Sequence, residues 1–209
     1  MGTKLNDNHI RAAARSKLLA AAGQCADTLI VEELGLAHGA VRVDIAVING
    51  HIRALEIKGD ADTLARLPRQ AEAYGQVADR ASLIATERHL DKAAKSLPVW
   101  WGLIMACPAR DEEVTFRCVR PEKANRQIDP ITLAKLMWRT EVVEVLRQMG
   151  AEKRLLGAPR AVLYPALVGA LSAKELADTV RRTLKTRERW RDRARPSPGD
   201  GSFLPIATS

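Results

Sequence analysis

The segment from residue 41 to residue 58 constrains the fold more than any other part of the chain. Two runs rich in β-branched residues flank an Asn-Gly pair, a pattern typical of two strands joined by a tight hairpin turn. The ionisable residues in these apolar strands include two carboxylates and a lysine, Asp44, Glu56 and Lys58. A charge that is buried without a partner is costly, so such side chains are normally paired, metal-bound or catalytic.

The length of the hairpin loop decides whether the two carboxylates meet. Because side chains alternate between the faces of a strand, a two-residue turn would place Asp44 and Glu56 on opposite faces. A three-residue loop, Asn49-Gly50-His51, sets them directly opposite each other, and such loops usually contain a left-handed glycine and a bulge. The sequence therefore predicts a three-residue loop or a bulge, which brings both carboxylates and Lys58 to one Mg²⁺ or Mn²⁺ site.

An aspartate followed by Glu-x-Lys on the next strand resembles the motif of the PD-(D/E)XK nuclease superfamily, although Val43 stands where that motif has proline. Gln70 and Tyr74 have the spacing of the Gln-x-x-x-Tyr motif of exonuclease-type members. Glu33 lies upstream, where many members place an acidic residue that helps to bind metal. The resemblance covers roughly residues 10–190, and a later Trp-Trp-Gly segment resembles a subgroup of small bacterial and phage proteins.

This resemblance implies a restriction-endonuclease-like α/β fold, in which helices flank a mixed β-sheet, and a metal-dependent hydrolysis of phosphodiester bonds in DNA. The residues it implies as metal ligands are Glu33, Asp44, Glu56 and the carbonyl group of Ile57. The residues it implies as catalytic are Asp44, Glu56, Lys58 and Gln70. Lys58 would orient a water or neutralise the developing charge, Gln70 would bind near the scissile phosphate, and Tyr74 would support Gln70 at the nucleic-acid surface.

Charge divides the chain into two parts. Residues 1–120 carry 16 basic and 15 acidic side chains, whereas residues 121–209 carry 17 and 10, so most of the net charge of +8 is C-terminal. A basic surface attracts polyanions, and we expect DNA as the partner, with RNA as an alternative. The residues expected to contact phosphates are Arg66, Arg69, Arg181, Arg182, Lys185 and Arg189. A solvated basic surface without a ligand explains the same charges.

Strand and helix signals interleave as far as residue 120, which predicts a nuclease-like α/β domain over residues 1–120. One long helix over residues 130–149 and a capped helix after Ser172 predict a helical domain over residues 121–193 that binds nucleic acid. Residues 194–209 are rich in proline, serine and glycine, which predicts a disordered tail.

Several protein classes are disfavoured by the sequence. The chain has no apolar run near the ~20 residues of a membrane-spanning helix, and its first residues lack a signal-peptide pattern. The three cysteines, Cys25, Cys107 and Cys118, lack metal-ligand spacing and predict reduced, buried thiols. We therefore expect a cytoplasmic protein with no membrane partner. The adjacent residues Trp100 and Trp101 are also compatible with a homodimer or a partner subunit.

Three other functions fit the same sequence. The first is a catalytically silent binding or adaptor module, in which the basic C-terminal part holds nucleic acid or a protein partner. The second is an endonuclease that acts on structured RNA. The third is a nuclease that works only with another subunit in a defence or mobile-element system. DNA repair and phage defence are both compatible with the sequence as biological processes.

Overall fold

The computed structural model describes residues 4–22, 27–36, 39–109, 113–187 and 205–207. The strands in these residues are β1 (Leu29–Leu36), β2 (Val41–Ile48), β3 (Ile52–Lys58), β4 (Arg80–Ala85), β5 (Gly102–Pro108), β6 (Val114–Arg120) and β7 (Pro205–Ala207). The helices are α1 (Asp7–Ala22), α2 (Leu67–Gly75), α3 (Glu87–Ser96), α4 (Pro130–Ala134), α5 (Arg139–Gln148), α6 (Lys153–Leu156), α7 (Arg160–Ala170) and α8 (Ala173–Thr186).

The strands form one mixed sheet in the order β6-β5-β4-β3-β2-β1-β7. The central strands β3, β4 and β5 run parallel, and the other neighbouring pairs are antiparallel. Parallel neighbours need a crossover connection, which α2 supplies between β3 and β4, and α3 between β4 and β5. The predicted α/β class, with a mixed sheet flanked by helices and a helical C-terminal region, is confirmed.

The hairpin between β2 and β3 has the predicted three-residue loop. Ile48 pairs with Ile52, so residues 49–51 form the connection, and none of the three has a positive φ. The register of this hairpin sets Asp44 opposite Glu56. The prediction that loop length would bring the two carboxylates onto the same side of the sheet is therefore confirmed at the level of register.

Helices cover both faces of the sheet. On one face α1 packs through Ile10 and Ala14 onto residues of β2 and β3. On the other face α2, α3 and the C-terminal helices share one continuous hydrophobic core with the sheet. Residues 121–187 therefore do not form the separate helical domain that the sequence predicts, because short amphipathic helices need a partner surface and the sheet provides it.

Two C-terminal predictions need correction. The long helix predicted over residues 130–149 is broken between α4 and α5. There the Glu141 carboxylate accepts a hydrogen bond from the Trp138 backbone amide at 2.6 Å. The Arg187 guanidinium lies 4.1 Å from the Trp138 ring, so tertiary contacts accompany this break. The predicted disorder is wrong for Pro205–Ala207, which pairs with β1.

The predicted thiol environments also differ from the structure. Cys107 is half-buried and Cys118 is exposed, because β6 lies at one edge of the sheet, whereas Cys25 lies outside the described residues. In the part of the chain that the structure describes, no helix has both the length and the apolar character needed to cross a bilayer.

Gly59 follows β3 and packs against the backbone at the start of α1. This close contact leads to a prediction. A Cβ atom at Gly59 would lie 2.6 Å from the Asp7 nitrogen and 2.9 Å from the Leu5 carbonyl oxygen, which are backbone atoms. We expect Gly59→Ala to lower the free energy of unfolding by about 2 kcal/mol, as overpacking does. Urea denaturation measures this change.

The matched control is Gly50→Ala, because no atom lies within 4 Å of a Cβ built at Gly50. The control should change the free energy of unfolding by less than about 0.5 kcal/mol. Equal losses in the two variants would contradict the close approach of α1 to Gly59.

Candidate functional site

The strands β2 and β3 separate where the charged residues begin. Their pairing stops at Ile45 opposite Leu55, while β3 stays paired with β4 as far as Lys58. Beyond the last pair, Asp44 Oδ2 accepts a hydrogen bond from the Ile57 amide at 2.7 Å. Because the N–H and C=O of one strand residue point to the same side, the Ile57 carbonyl also faces the space between the strands. The separated strand ends form one wall of a cleft.

Glu33 lies on β1 beside this separation, in a strained backbone conformation. Its φ is 54°, in the left-handed region that residues other than glycine rarely adopt. The ladder between β1 and β2 is interrupted at Glu33 and Asp44, although the pairs on either side keep the same register. This conformation is unfavourable by about 1–2 kcal/mol, so surrounding contacts must hold it in place.

The carboxylate of Glu56 is fully buried and receives three donors. Lys58 Nζ lies 2.5 Å and Gln70 Nε2 lies 2.6 Å from Glu56 Oε1, and the Tyr74 hydroxyl donates to Oε2. Burial and then the charge of Asp44 raise the pKa of Glu56 to about 7, although the Lys58 ammonium and the Tyr74 hydroxyl oppose this shift. Lys58 is only 5% exposed, so both charges of the ion pair are withdrawn from water.

Two residues of α1 that the sequence analysis did not identify complete the site. Arg11 donates to Asp44 Oδ1 at 2.8 Å, to Glu33 Oε1 at 3.0 Å and to Asp7 Oδ2 at 3.2 Å. Desolvation lowers the pKa of Arg11, but the charges of Asp44 and Asp7 outweigh it and raise the pKa above its usual value. The sequence signal for this pair was the i,i+4 spacing of Asp7 and Arg11 on one helix face.

These side chains line one cleft of ≈ 740 Å³. Its charged lining residues are Asp7, Arg11, Glu33, Arg42, Asp44, Glu56, Lys58, Asp62, Arg66 and Arg69. Gln70 and Ile57 also line the cleft, so every residue predicted to bind metal or to act in catalysis lies in it. Arg66 and Arg69 are exposed on its wall, and neither forms an ion pair with another described residue.

The donor atoms of the cleft are the hard oxygens that Mg²⁺ and Mn²⁺ prefer. Three of its carboxylates already hold a cation, the Arg11 guanidinium. Among the described residues, however, no group of three or more His, Cys, Asp or Glu side chains is arranged to hold a metal ion. The residues therefore fit a divalent cation by their chemistry, while their present positions suit the guanidinium.

Tyr74 does not belong to the surface of the cleft. Its side chain has no exposed surface, and its ring stacks on Trp101 with the centroids 5.5 Å apart. Its hydroxyl contacts the Glu56 carboxylate and lies 2.9 Å from the Arg42 carbonyl. A fully buried side chain cannot touch nucleic acid, so the predicted contact is wrong, and Tyr74 instead positions Glu56.

The basic residues of α8 are engaged within the molecule. Their partners are Asp79 and Asp178 for Arg181, Asp27 for Lys185 and Thr179 for Arg182. Arg181 is 13% exposed, and its contact with Asp79 ties α8 to the residue that precedes β4. A phosphate would have to compete with these partners, so nucleic-acid binding by Arg181, Arg182 and Lys185 stays a prediction. Arg189 lies outside the described residues.

The family model described as bacteriophage P4 protein cII matches residues 1–194. Protein cII of Enterobacteria phage P4 is 22% identical over 128 residues, which make up 61% of this chain and 48% of that protein. The chain thus spans about half the length of this curated relative. The solved structure of a protein of unknown function from Silicibacter pomeroyi is 21% identical, with a TM-score of 0.44, covering 71% of this chain and 94% of that chain.

The raised pKa of Glu56 predicts how stability depends on pH. Because the pKa rises from 4.5 to about 7 on folding, the stability that this group provides is complete below pH 4.5 and is lost as the pH rises through 7. Glu56→Gln cannot ionise, so between about pH 5 and pH 8 it should lose less stability than the wild type. Thermal melting in chelator measures the difference.

The matched control is Glu72→Gln, which changes an exposed glutamate of α2. Its melting temperature should follow that of the wild type across the same pH range. Parallel pH profiles for Glu56→Gln and the wild type would show that Glu56 does not titrate in this window.

Proposed function

The chain belongs to the bacteriophage P4 protein cII family, and from the geometry of its cleft we propose that it is a metal-dependent nuclease that hydrolyses phosphodiester bonds of DNA. The observation that carries this proposal is the buried pair of Glu56 and Lys58, placed on the cleft wall next to Asp44. A buried ion pair often stabilises a fold no better than apolar side chains of similar volume do. Perturbed charges in a cleft therefore favour a chemical role.

We also propose that the fold is restriction-endonuclease-like, as the motif resemblance implies. Three antiparallel strands, β1, β2 and β3, precede the crossover helix α2 and the parallel strand β4. The Asp and Glu-x-Lys residues lie where β2 and β3 separate, and Gln70 reaches them from α2. This arrangement supports the assignment of the motif to one site.

The residues that would hold Mg²⁺ or Mn²⁺ are Glu33, Asp44, Glu56 and the Ile57 carbonyl. A divalent cation bound there would supply Lewis acidity, which neutralises phosphate charge and makes a water more acidic. Tyr74 and Gln70 keep the Glu56 carboxylate in place, because both donate hydrogen bonds to it.

Lys58 and Gln70 have distinct roles in this mechanism. The Lys58 ammonium places a positive charge in the cleft, where negative charge on the phosphate increases during attack. Gln70 Oε1 is buried and has no hydrogen-bond partner among the described residues, whereas its Nε2 is held by Glu56. A free acceptor of this kind can accept a hydrogen bond from the attacking water and orient it toward phosphorus.

The substrate contacts in this proposal are sequence-independent. Arg66 and Arg69 lie at the start of α2, exposed and on the cleft wall, where a nucleic-acid backbone would pass. Arginine contacts to phosphates fix the register of a duplex but do not read its bases. RNA presents the same phosphates, so an endonuclease directed at RNA is the nearest alternative substrate class.

A catalytically silent nucleic-acid-binding or adaptor module is the second candidate function. The observation that favours it is the Arg11 guanidinium, which forms ion pairs with Asp7, Glu33 and Asp44. These ion pairs balance the negative charge of the carboxylates without a metal. A homodimer, a partner subunit and a role in DNA repair or phage defence stay predictions.

Substitutions that each remove one charged side chain from the cleft test the proposed function. Lys58→Ala and Asp44→Asn should each lower the rate of DNA cleavage by roughly 100-fold or more, because the first removes a positive charge that stabilises the transition state and the second removes a carboxylate that would hold the metal. Rates are measured with Mg²⁺ or Mn²⁺ on linear duplex, plasmid and single-stranded DNA and on RNA, and chelator should abolish them. Thermal melting verifies that each variant is folded.

Lys92→Ala removes an exposed lysine of α3 and is the matched control, which should keep the wild-type rate. Cleavage that persists in chelator or in folded Lys58→Ala would rule out this mechanism. If the wild type binds DNA but forms no product from any substrate, the silent module is favoured. Cleavage of RNA alone would favour the RNA-directed endonuclease.

A further inference from the structure

Arg11 lies at the centre of the acidic cluster formed by Asp7, Glu33 and Asp44. Its side chain is 14% exposed, and its two terminal nitrogens reach all three carboxylates at 2.8 to 3.2 Å. It also donates to the Asp44 carbonyl at 3.1 Å. A guanidinium presents its donors in a rigid planar fork, so one side chain of α1 satisfies groups from α1, β1 and β2 together.

The cluster requires a cation between its members. All three carboxylates contact the same guanidinium, so their negative charges face one point in a partly buried site and repel one another. Arg42 is a second base near Glu33, but it is 55% exposed and lies 3.5 Å from that carboxylate, and the nearby Lys58 is paired with Glu56. Among the described residues no ion pair joins Arg42 to Asp7 or to Asp44. Removing Arg11 therefore leaves an anionic cluster without adequate compensation.

We propose that Arg11 is a positioning residue that acts as the exchangeable counter-cation of the site, holding Glu33 and Asp44 until a divalent cation displaces it. This inference rests on the proposed function, because it takes Glu33 and Asp44 as residues that hold the metal. The strained backbone of Glu33 is consistent with it, since that conformation aims a carboxylate at the same point as Asp44 and Arg11 keeps it there.

Displacement of Arg11 by a metal ion and a purely structural role for Arg11 predict different effects on metal affinity. A cation entering the site has to replace charge-assisted hydrogen bonds from Arg11 to Glu33 and Asp44, so Arg11 weakens the apparent affinity for metal. If Arg11 served only to hold the fold together, its removal would loosen the carboxylates, and metal affinity would fall or stay the same.

Calorimetric titration of Mn²⁺ into the full chain at neutral pH tests the proposal. Arg11→Gln should bind Mn²⁺ about tenfold more tightly than the wild type, because no guanidinium competes for the carboxylates. Without metal the variant should melt at a lower temperature than the wild type, and saturating Mn²⁺ should restore most of the loss. Arg11→Lys keeps a charge with fewer donors and should give a smaller gain in affinity.

The matched control is Arg15→Gln, one turn further along α1. Arg15 pairs with Glu32 at 2.8 Å, and neither residue lines the cleft, so Mn²⁺ affinity should not change. Asp44→Asn should lose Mn²⁺ binding, which identifies the measured site as this one.

The outcomes separate this inference from the proposed function. Tighter Mn²⁺ binding in Arg11→Gln or Arg11→Lys, with Arg15→Gln unchanged, supports the exchange. Wild-type binding that is lost in Asp44→Asn but equal or weaker in both Arg11 variants overturns the inference and leaves the proposed function standing. Absence of Mn²⁺ and Mg²⁺ binding in every variant refutes both.

Discussion

The ion pair between Glu56 and Lys58 is the interaction on which the rest of the site depends. Both side chains point from the central strand β3 into an environment with almost no water, where an unpaired charge would be unstable. Gln70 and Tyr74 compensate the buried carboxylate by donating hydrogen bonds to it, whereas the Ile57 amide fixes the like charge of Asp44 nearby. These charges line the cleft where β2 and β3 separate.

The fold places this pair beside the cleft by separating two strands. A strand that loses its neighbour exposes backbone donors and acceptors, which must find other partners. Here the Asp44 side chain replaces the missing ladder on β3, and Arg11 reaches over from α1 to the opposite side of the same carboxylate. The arrangement thus links helix packing, sheet register and charge balance. A change in the position of α1 would alter the electrostatics of the site as well as its shape.

The sequence predicted the parts of this site that depend on local rules. Strand alternation and loop length are local, and they placed Asp44 opposite Glu56. Arg11 was missed because its role arises only when α1 packs onto the sheet, a contact that periodicity does not specify. The burial of Tyr74 and the shared core of the C-terminal helices also depend on long-range packing, so motif spacing assigned Tyr74 a surface role that the structure does not support.

The position of a bound divalent cation tests the central claim most directly. Anomalous diffraction from crystals soaked in Mn²⁺ locates the ion without reference to any activity. We expect a peak at roughly 2.0–2.3 Å from oxygens of Asp44 and Glu56 and from the Ile57 carbonyl, with the Arg11 guanidinium displaced. A fully occupied peak elsewhere, or a cleft without a peak and Arg11 still bridging the carboxylates, would contradict the claim that these strands build a metal-dependent active site.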